Sequence, residues 1–167
     1  MAGPKDVILA QFANAEQLMQ WFTSDLSDAE YFKPPVPGAN HAGWIIGHVA
    51  CSEDSIVAAI TGKAMCIPAA THATFKGGED CLPDAARYPS RKQVDELLRD
   101  SRAHTREAIR DFDDKRWNDP SPEGWTKEFF PTLGAMWSLL PTHQYWHIGQ
   151  ITVCRTGLRK KRVFPGG

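Results

Sequence analysis

Hydrophobic side chains recur at alternating steps of four and three in four stretches of the chain, and polar, proline-rich segments separate them. In the first stretch, about Pro4 to Leu26, the positions Ile8, Phe12, Ala15, Met19, Phe22 and Leu26 fall on one helical face. Pro4 suits a first turn, where the missing N–H has no helical partner to lose. The second stretch runs from about Ala42 to Thr61. One stripe on it is Trp44, His48, Cys51 and Ser55, and an adjacent one is Ile45, Val49 and Ile56. Asn40 is the expected N-cap. Gly62 is the expected stop, because glycine accepts the left-handed backbone that ends helices.

Ser90 and Gln93 have the spacing of a capping box and open a third helix. It runs to about Phe112 and turns Val94, Leu97, Leu98, Ser101, Thr105, Ala108, Ile109 and Phe112 inward. The last helix spans about Thr132 to Thr156 and stops at Gly157. Its stripe is Leu133, Met136, Leu140, His143, His147, Ile151 and Cys154. Pro141 lies inside it. Proline removes one backbone hydrogen bond and crowds the preceding turn, so a kink or break is expected between Trp137 and Pro141.

The connections read as loops. Residues 27–40 hold Pro34, Pro35, Pro37 and Gly38. Residues 62–89 hold Pro68, Gly77, Gly78, Pro83 and Pro89 without a clear period. A connection this long is uncommon in a compact domain and is often functional. Residues 113–131 are again proline-rich and carry Trp117 and Trp125. No strand pattern competes, and no internal repeat is present. The pattern predicts an all-α protein, a four-helix bundle in a single domain over residues 1–167.

Charge removes several functions. The formal net charge is -1 and charged residues make up 23%, which gives no general pull toward nucleic acid or anionic membrane. The basic cluster Arg159, Lys160, Lys161 and Arg162 reads as a solvated helix end. No apolar run reaches membrane-spanning length. Gln11, Asn14 and Glu16 interrupt any signal-peptide core near the start. Cys51, Cys66, Cys81 and Cys154 are scattered with no C-x-x-C pair. A cytoplasmic protein with free thiols, mostly behaving as small buried hydrophobes, is expected.

Chemistry enters with the histidines. Of the six, His41 lies at a helix start, His72 in a loop, and His104 is expected to face solvent. His143 and His147 are four apart on a helix and face the same way. His48 lies on the polar stripe of a different helix. One histidine on an apolar stripe is usually a neutral core residue with a hydrogen-bonded neighbour. Three inward imidazoles without a shared partner would leave several polar groups unsatisfied, at about 1–3 kcal/mol each. A divalent metal satisfies three lone pairs at once. Closed structural sites usually have four protein ligands, whereas three suit a catalytic site with an open position. Nitrogen ligands fit zinc, nickel, copper or iron. Gln144 stands where a zincin places its general-base glutamate, so the protease reading fails. The paired Glu-x-x-His of a carboxylate di-iron bundle is missing. Two histidines one turn apart cannot ligate opposite faces of a haem iron.

The sequences GWIIGHVACSE around His48 and HQYWHIGQITVCRTG around His143 and His147 resemble the DinB/YfiT-like family of metal-dependent enzymes. PSRKQVDELL also resembles that family's third-helix start, so the similarity spans most of the chain. Pro141 departs from a plain helix. The resemblance implies an antiparallel four-helix bundle with long crossover connections, often a homodimer. It implies a divalent metal, zinc or nickel, held by His48, His143 and His147. Relatives of known activity include transferases and isomerases that use low-molecular-weight thiols.

The expected function is therefore a metal-dependent, thiol-dependent transferase or a related hydrolase acting on a small molecule. A coordinated thiol would be deprotonated, or a coordinated water brought toward pKa ~7. The rival is a non-catalytic bundle that keeps the metal for stability, serving as a stress-related binding or dimerisation module. Gln150 is placed to hydrogen-bond a ligand ring. Glu53, five residues past His48, is at least as well placed for the surface. Trp44, Trp117, Trp125 and Trp146 are candidate pocket walls, with core packing as the default.

Overall fold

The computed structural model describes residues 2–78, 81, 82 and 84–164, and the backbone alone at residues 125 and 126. Among these residues the α-helices are α1 (Pro4–Thr23), α2 (Asp28–Tyr31), α3 (Ala42–Thr61), α4 (Ala69–Thr74), α5 (Arg91–Asp111), α6 (Trp125–Phe129) and α7 (Leu133–Gly157). Short 3-10 turns cover Ala85–Arg87 and Asp114–Arg116. The described residues contain no strand, only an isolated bridge between Pro120 and Thr132. None of the helices is long and apolar enough to cross a membrane.

Local chemistry sets most boundaries. Ser90 accepts the Gln93 N–H, and the Gln93 side chain takes back the Ser90 N–H at 2.9 Å. Gly62 ends α3 with a φ of 75°. Three expectations change. The N-cap of α3 is His41, not Asn40: its Nδ1 accepts the Trp44 N–H at 2.9 Å. The ring is fully buried, and burial lowers its pKa to about 4, which keeps it an acceptor. The segment 27–40 is not all loop, since Ser27 and Glu30 cap the single turn of α2 reciprocally. A helix of four residues is too short to show a hydrophobic period. In the connection 62–89, α4 is likewise too short to betray itself. The third concerns Pro141: of the kink or break expected there, the break is absent, since α7 runs through the proline as one helix. Hydroxyls flank the proline along the helix: Ser138 Oγ donates to the Ala135 carbonyl at 2.6 Å and Thr142 Oγ1 to the Ser138 carbonyl at 2.8 Å.

The four long helices form a ring in the order α1, α7, α3, α5, with α1 and α5 touching least. Their directions follow from cross-contacts. Lys5 near the start of α1 reaches the Arg110 carbonyl at the end of α5, and Arg91 at the start of α5 reaches the Thr23 carbonyl. Those helices are antiparallel. Arg155 near the end of α7 bonds the Phe22 carbonyl, and Tyr145 bonds the Gln11 carbonyl, so α1 and α7 run together. Ser101 donates to the Ala50 carbonyl, and Arg102 faces Glu53, so α3 and α5 also run together. The result is two parallel pairs packed in opposite directions. The connection 62–90 explains one pair: it carries the chain back along the roughly 30 Å of a 20-residue helix, so α5 restarts where α3 began.

The core falls into two hydrophobic clusters. One gathers Ala15, Met19, Val49, Ala50, Leu98 and Ile148, among others, and the second gathers Phe12, Val57, Ile60, Ile109, Met136 and Leu140. A polar layer lies between them along the helix axes. Glu53 sits between Ala50 and Val57, Arg102 between Leu98 and Ile109, and Gln144 between Leu140 and Ile148. All three are buried.

Candidate metal centre

His48 is held from both sides. Its ring stacks on Trp44, one turn earlier, with centroids 4.7 Å apart and planes within 6°. Its Nδ1 meets the Phe75 carbonyl at 2.9 Å, so this nitrogen carries the proton and donates, leaving Nε2 with a lone pair. Nε2 lies 3.3 Å from Ser52 Oγ. Two glycines permit the approach of residues 75–77. A Cβ on Gly47 would meet the Phe75 ring at 2.3 Å, and one on Gly77 would meet His48 Cε1 at 3.1 Å.

The other two rings stand one turn apart on α7. His147 Nδ1 donates to Gln150 Oε1 at 2.9 Å. That fixes His147 Nε2 as the bare nitrogen, and it faces His143 Nε2 at 3.0 Å. His143 Nδ1 is buried without a hydrogen-bond partner. Ring centroids are 4.4 Å apart for His143 and His147, 4.9 Å for His48 and His147, and 5.4 Å for His48 and His143.

Ligand nitrogens of all three rings lie within 4.8 Å of one another, and this group contains no carboxylate or thiol. Burial is the first cause that lowers the pKa of each ring, to about 3 for His143 and about 4 for His147, with His48 also lowered. Proximity of the rings lowers His143 and His147 further. At neutral pH all three are neutral, the form that ligates a metal. Two lone pairs facing each other at 3.0 Å repel unless a proton or a cation lies between them. The donor set therefore fits a divalent cation, and Gln150 and the Phe75 carbonyl supply outer hydrogen bonds of the kind that would orient the rings toward one. Beside the rings a cavity of about 570 Å³ opens between α3, α4 and α7, with His48 and His143 on its wall.

The fold and these motifs meet a known family. A sequence profile of the DinB superfamily matches residues 11–151. The chain belongs to the DinB superfamily. The matched span holds most of the bundle core and all three histidines. A crystal structure of a conserved protein from Enterococcus faecalis superposes with a TM-score of 0.74 at 18% sequence identity, covering 96% of this chain and 100% of that one. At that identity the likeness speaks for the fold. Among curated proteins, none matches the chain significantly.

Within this DinB fold the remaining expectations divide. Gln144 turns away from the rings, where its Oε1 accepts from Arg102 at 3.1 Å. Glu53 is not a surface residue: it is 1% exposed and faces Arg102 Nε at 3.7 Å, and neither of its oxygens takes a hydrogen bond. Burial pushes its pKa up to about 7 against the pull of Arg102. Trp146 is 56% exposed, on the outer face of α7. Trp117 packs on Phe112 and over Gly134, away from the rings. The side chain of Trp125 lies outside the described residues. His72 sits on α4 rather than in a loop, and lines the cavity. His104 does not point freely to solvent; it is half-buried and faces Asp54 and Cys66. Cys66 is exposed, unlike the other three cysteines.

Proposed function

We propose that this DinB protein is a metal-dependent enzyme that joins a low-molecular-weight thiol to a small electrophilic molecule. Zinc or nickel on His48, His143 and His147 is part of that reading. The observation that carries it is the convergence of three neutral imidazoles, without a carboxylate, on the wall of a 570 Å³ cavity. When bound, a divalent cation there lowers the pKa of a coordinating thiol or water.

The chain's own groups supply orientation and exclusion of water. The Phe75 carbonyl and Gln150 hold two rings with Nε2 as the accepting nitrogen, which meets the Ser52 hydroxyl in His48 and the His143 ring in His147. Ile56, Met136 and Leu139 give the cavity an apolar floor for a small substrate. Cys51 also lines it, but burial pushes its pKa up to about 12, which favours the thiol over a thiolate nucleophile. This supports a thiol brought in from solution. Its sulfur bonds to the electrophilic carbon, the leaving group departs with its electron pair, and the thiol proton passes to solvent. Water in place of the thiol gives the related hydrolysis. The outer face of α7 presents Trp146, Gly149 and Val153 on one exposed stripe, which supports a homodimer.

Zinc- or nickel-loaded protein, mixed with cysteine-derived thiols and an aryl halide, tests the reading. Conjugation that disappears in His143→Ala and His48→Ala is expected. A protein that binds no metal at the three histidines overturns it. Metal that raises the melting temperature without any turnover favours a non-catalytic bundle instead.

A further inference from the structure

A second group of ligand atoms lies on the far side of α3 from α7. Asp54 on α3, Cys66 in the connection after it and His104 on α5 bring ligand atoms within 4.8 Å of one another. Asp54 is 2% exposed, and among the described residues its only ion-pair partner is the His72 imidazole, at 3.0 Å. The Cys66 N–H donates to Oδ1 at 2.9 Å and the Ile67 N–H to Oδ2 at 3.0 Å. The carboxylate is thus held by three donors, yet among the described residues no lysine or arginine forms an ion pair with it.

We propose that Asp54, Cys66 and His104 form a second cation site, for a zinc-class ion, that ties the outer wall of the cavity to α5. Thiolate, imidazole and carboxylate together favour zinc over hard cations such as magnesium. Thiolate plus carboxylate cancels a divalent charge, whereas three neutral histidines leave it whole. Tetrahedral ligands on zinc stand about 3.4–3.7 Å apart, so atoms that lie within 4.8 Å close by at most about 1.4 Å. Cys66 is exposed and lies outside the helices, which gives the ion a path from solvent. His72 bonds Asp54 and lines the cavity, so an ion here braces the segment that closes the cavity.

Cobalt titrated into the metal-free, thiol-reduced full chain tests this directly. The wild type takes up one ion at each site and shows a near-ultraviolet sulfur-to-cobalt charge-transfer band, which ligation by three imidazoles cannot give. Cys66→Ser loses the band and one equivalent while keeping the other. His143→Ala keeps the band. Absence of the band in the wild type overturns the proposal, as does its persistence in Cys66→Ser. Loss of the band in Cys51→Ser would place the sulfur at the three histidines and overturn it equally. None of these outcomes depends on whether thiol conjugation is found.

Discussion

Two buried polar groups share one level of the bundle and differ in every respect that matters for chemistry. His143, Gln144 and His147 are near neighbours on α7, yet the histidines turn toward α3 and a cavity, while Gln144 turns inward to Arg102 and the layer it shares with Glu53. The histidines carry accepting nitrogens turned toward one another, no charge, and an open side. The Glu53 and Arg102 layer carries charges, is closed off from solvent, and lies between two halves of a hydrophobic core. The first arrangement is poised for a ligand. The second fits a layer that fixes which helix faces which, since a sliding helix would leave Glu53 or Arg102 against hydrocarbon. Burial alone therefore does not mark a functional site; the lone pairs left over and the space beside them do.

The comparison breaks most cleanly at His143. His143→Ala should abolish metal uptake at the triad and the activity that depends on it, while Arg102 and Glu53 keep their pairing. Elemental analysis with circular dichroism checks this, and full metal occupancy in the variant would sink the site. Next in size is Arg102→Met, which strips Glu53 and Gln144 of their partner. It should cost about 3 kcal/mol or more of stability in urea unfolding, and the double variant with Glu53→Leu should recover most of that. Metal affinity at the histidines should survive in the double variant; its collapse would show that the two regions are one. Gln150→Ala removes only the orienting bond to His147, so the expected loss is about 10–100-fold in metal affinity, with stability nearly unchanged. Competition against a chelator measures it.

The smallest effect is in pH, where the two regions pull in opposite directions. Each histidine of the triad has a folded pKa below its ordinary 6.5, so the unfolded chain binds more protons. Their contribution is present above about 6.5 and is lost as pH falls toward 4 and 3. Glu53 is raised from 4.5 to about 7, so the folded chain binds more protons there. Its contribution is present below 4.5 and is lost as pH rises through about 7. In metal-free protein, urea midpoints should therefore show His143→Ala softening the acid limb and Glu53→Gln flattening the neutral one. An unchanged acid limb in His143→Ala would contradict the buried, neutral ring.

Much of this was legible in the chain, because spacing carries it. The steps of four and three placed all four long helices, and the same spacing put His143 and His147 side by side. The polar layer obeyed the spacing too. Glu53 stands four after Val49 and four before Val57, Arg102 four after Leu98, and Gln144 four after Leu140 and four before Ile148. Their chemistry argued against their geometry, since charged residues are seldom buried unless paired, and the partner of each lies on another helix far along the chain. His41 was hidden for a related reason: a histidine caps a helix only when burial keeps it neutral, which no local pattern reveals. The short helices α2 and α4 left no period to read, and with α4 went the wall that carries His72 and Phe75.

The ring order also governs how such a chain can come to be folded. The principal neighbour of α1 is α7, and the contact between Tyr145 and Gln11 spans 134 positions. As the chain leaves the ribosome, α3 and α5 can pair early, while the apolar stripe of α1 has only its lesser contacts with α5 until the last helix emerges. Closure is a long-range event, slow by the standard of helical proteins whose neighbours adjoin in sequence. During that wait, the part of the α1 stripe that α7 will cover stays open to chaperones and to aggregation.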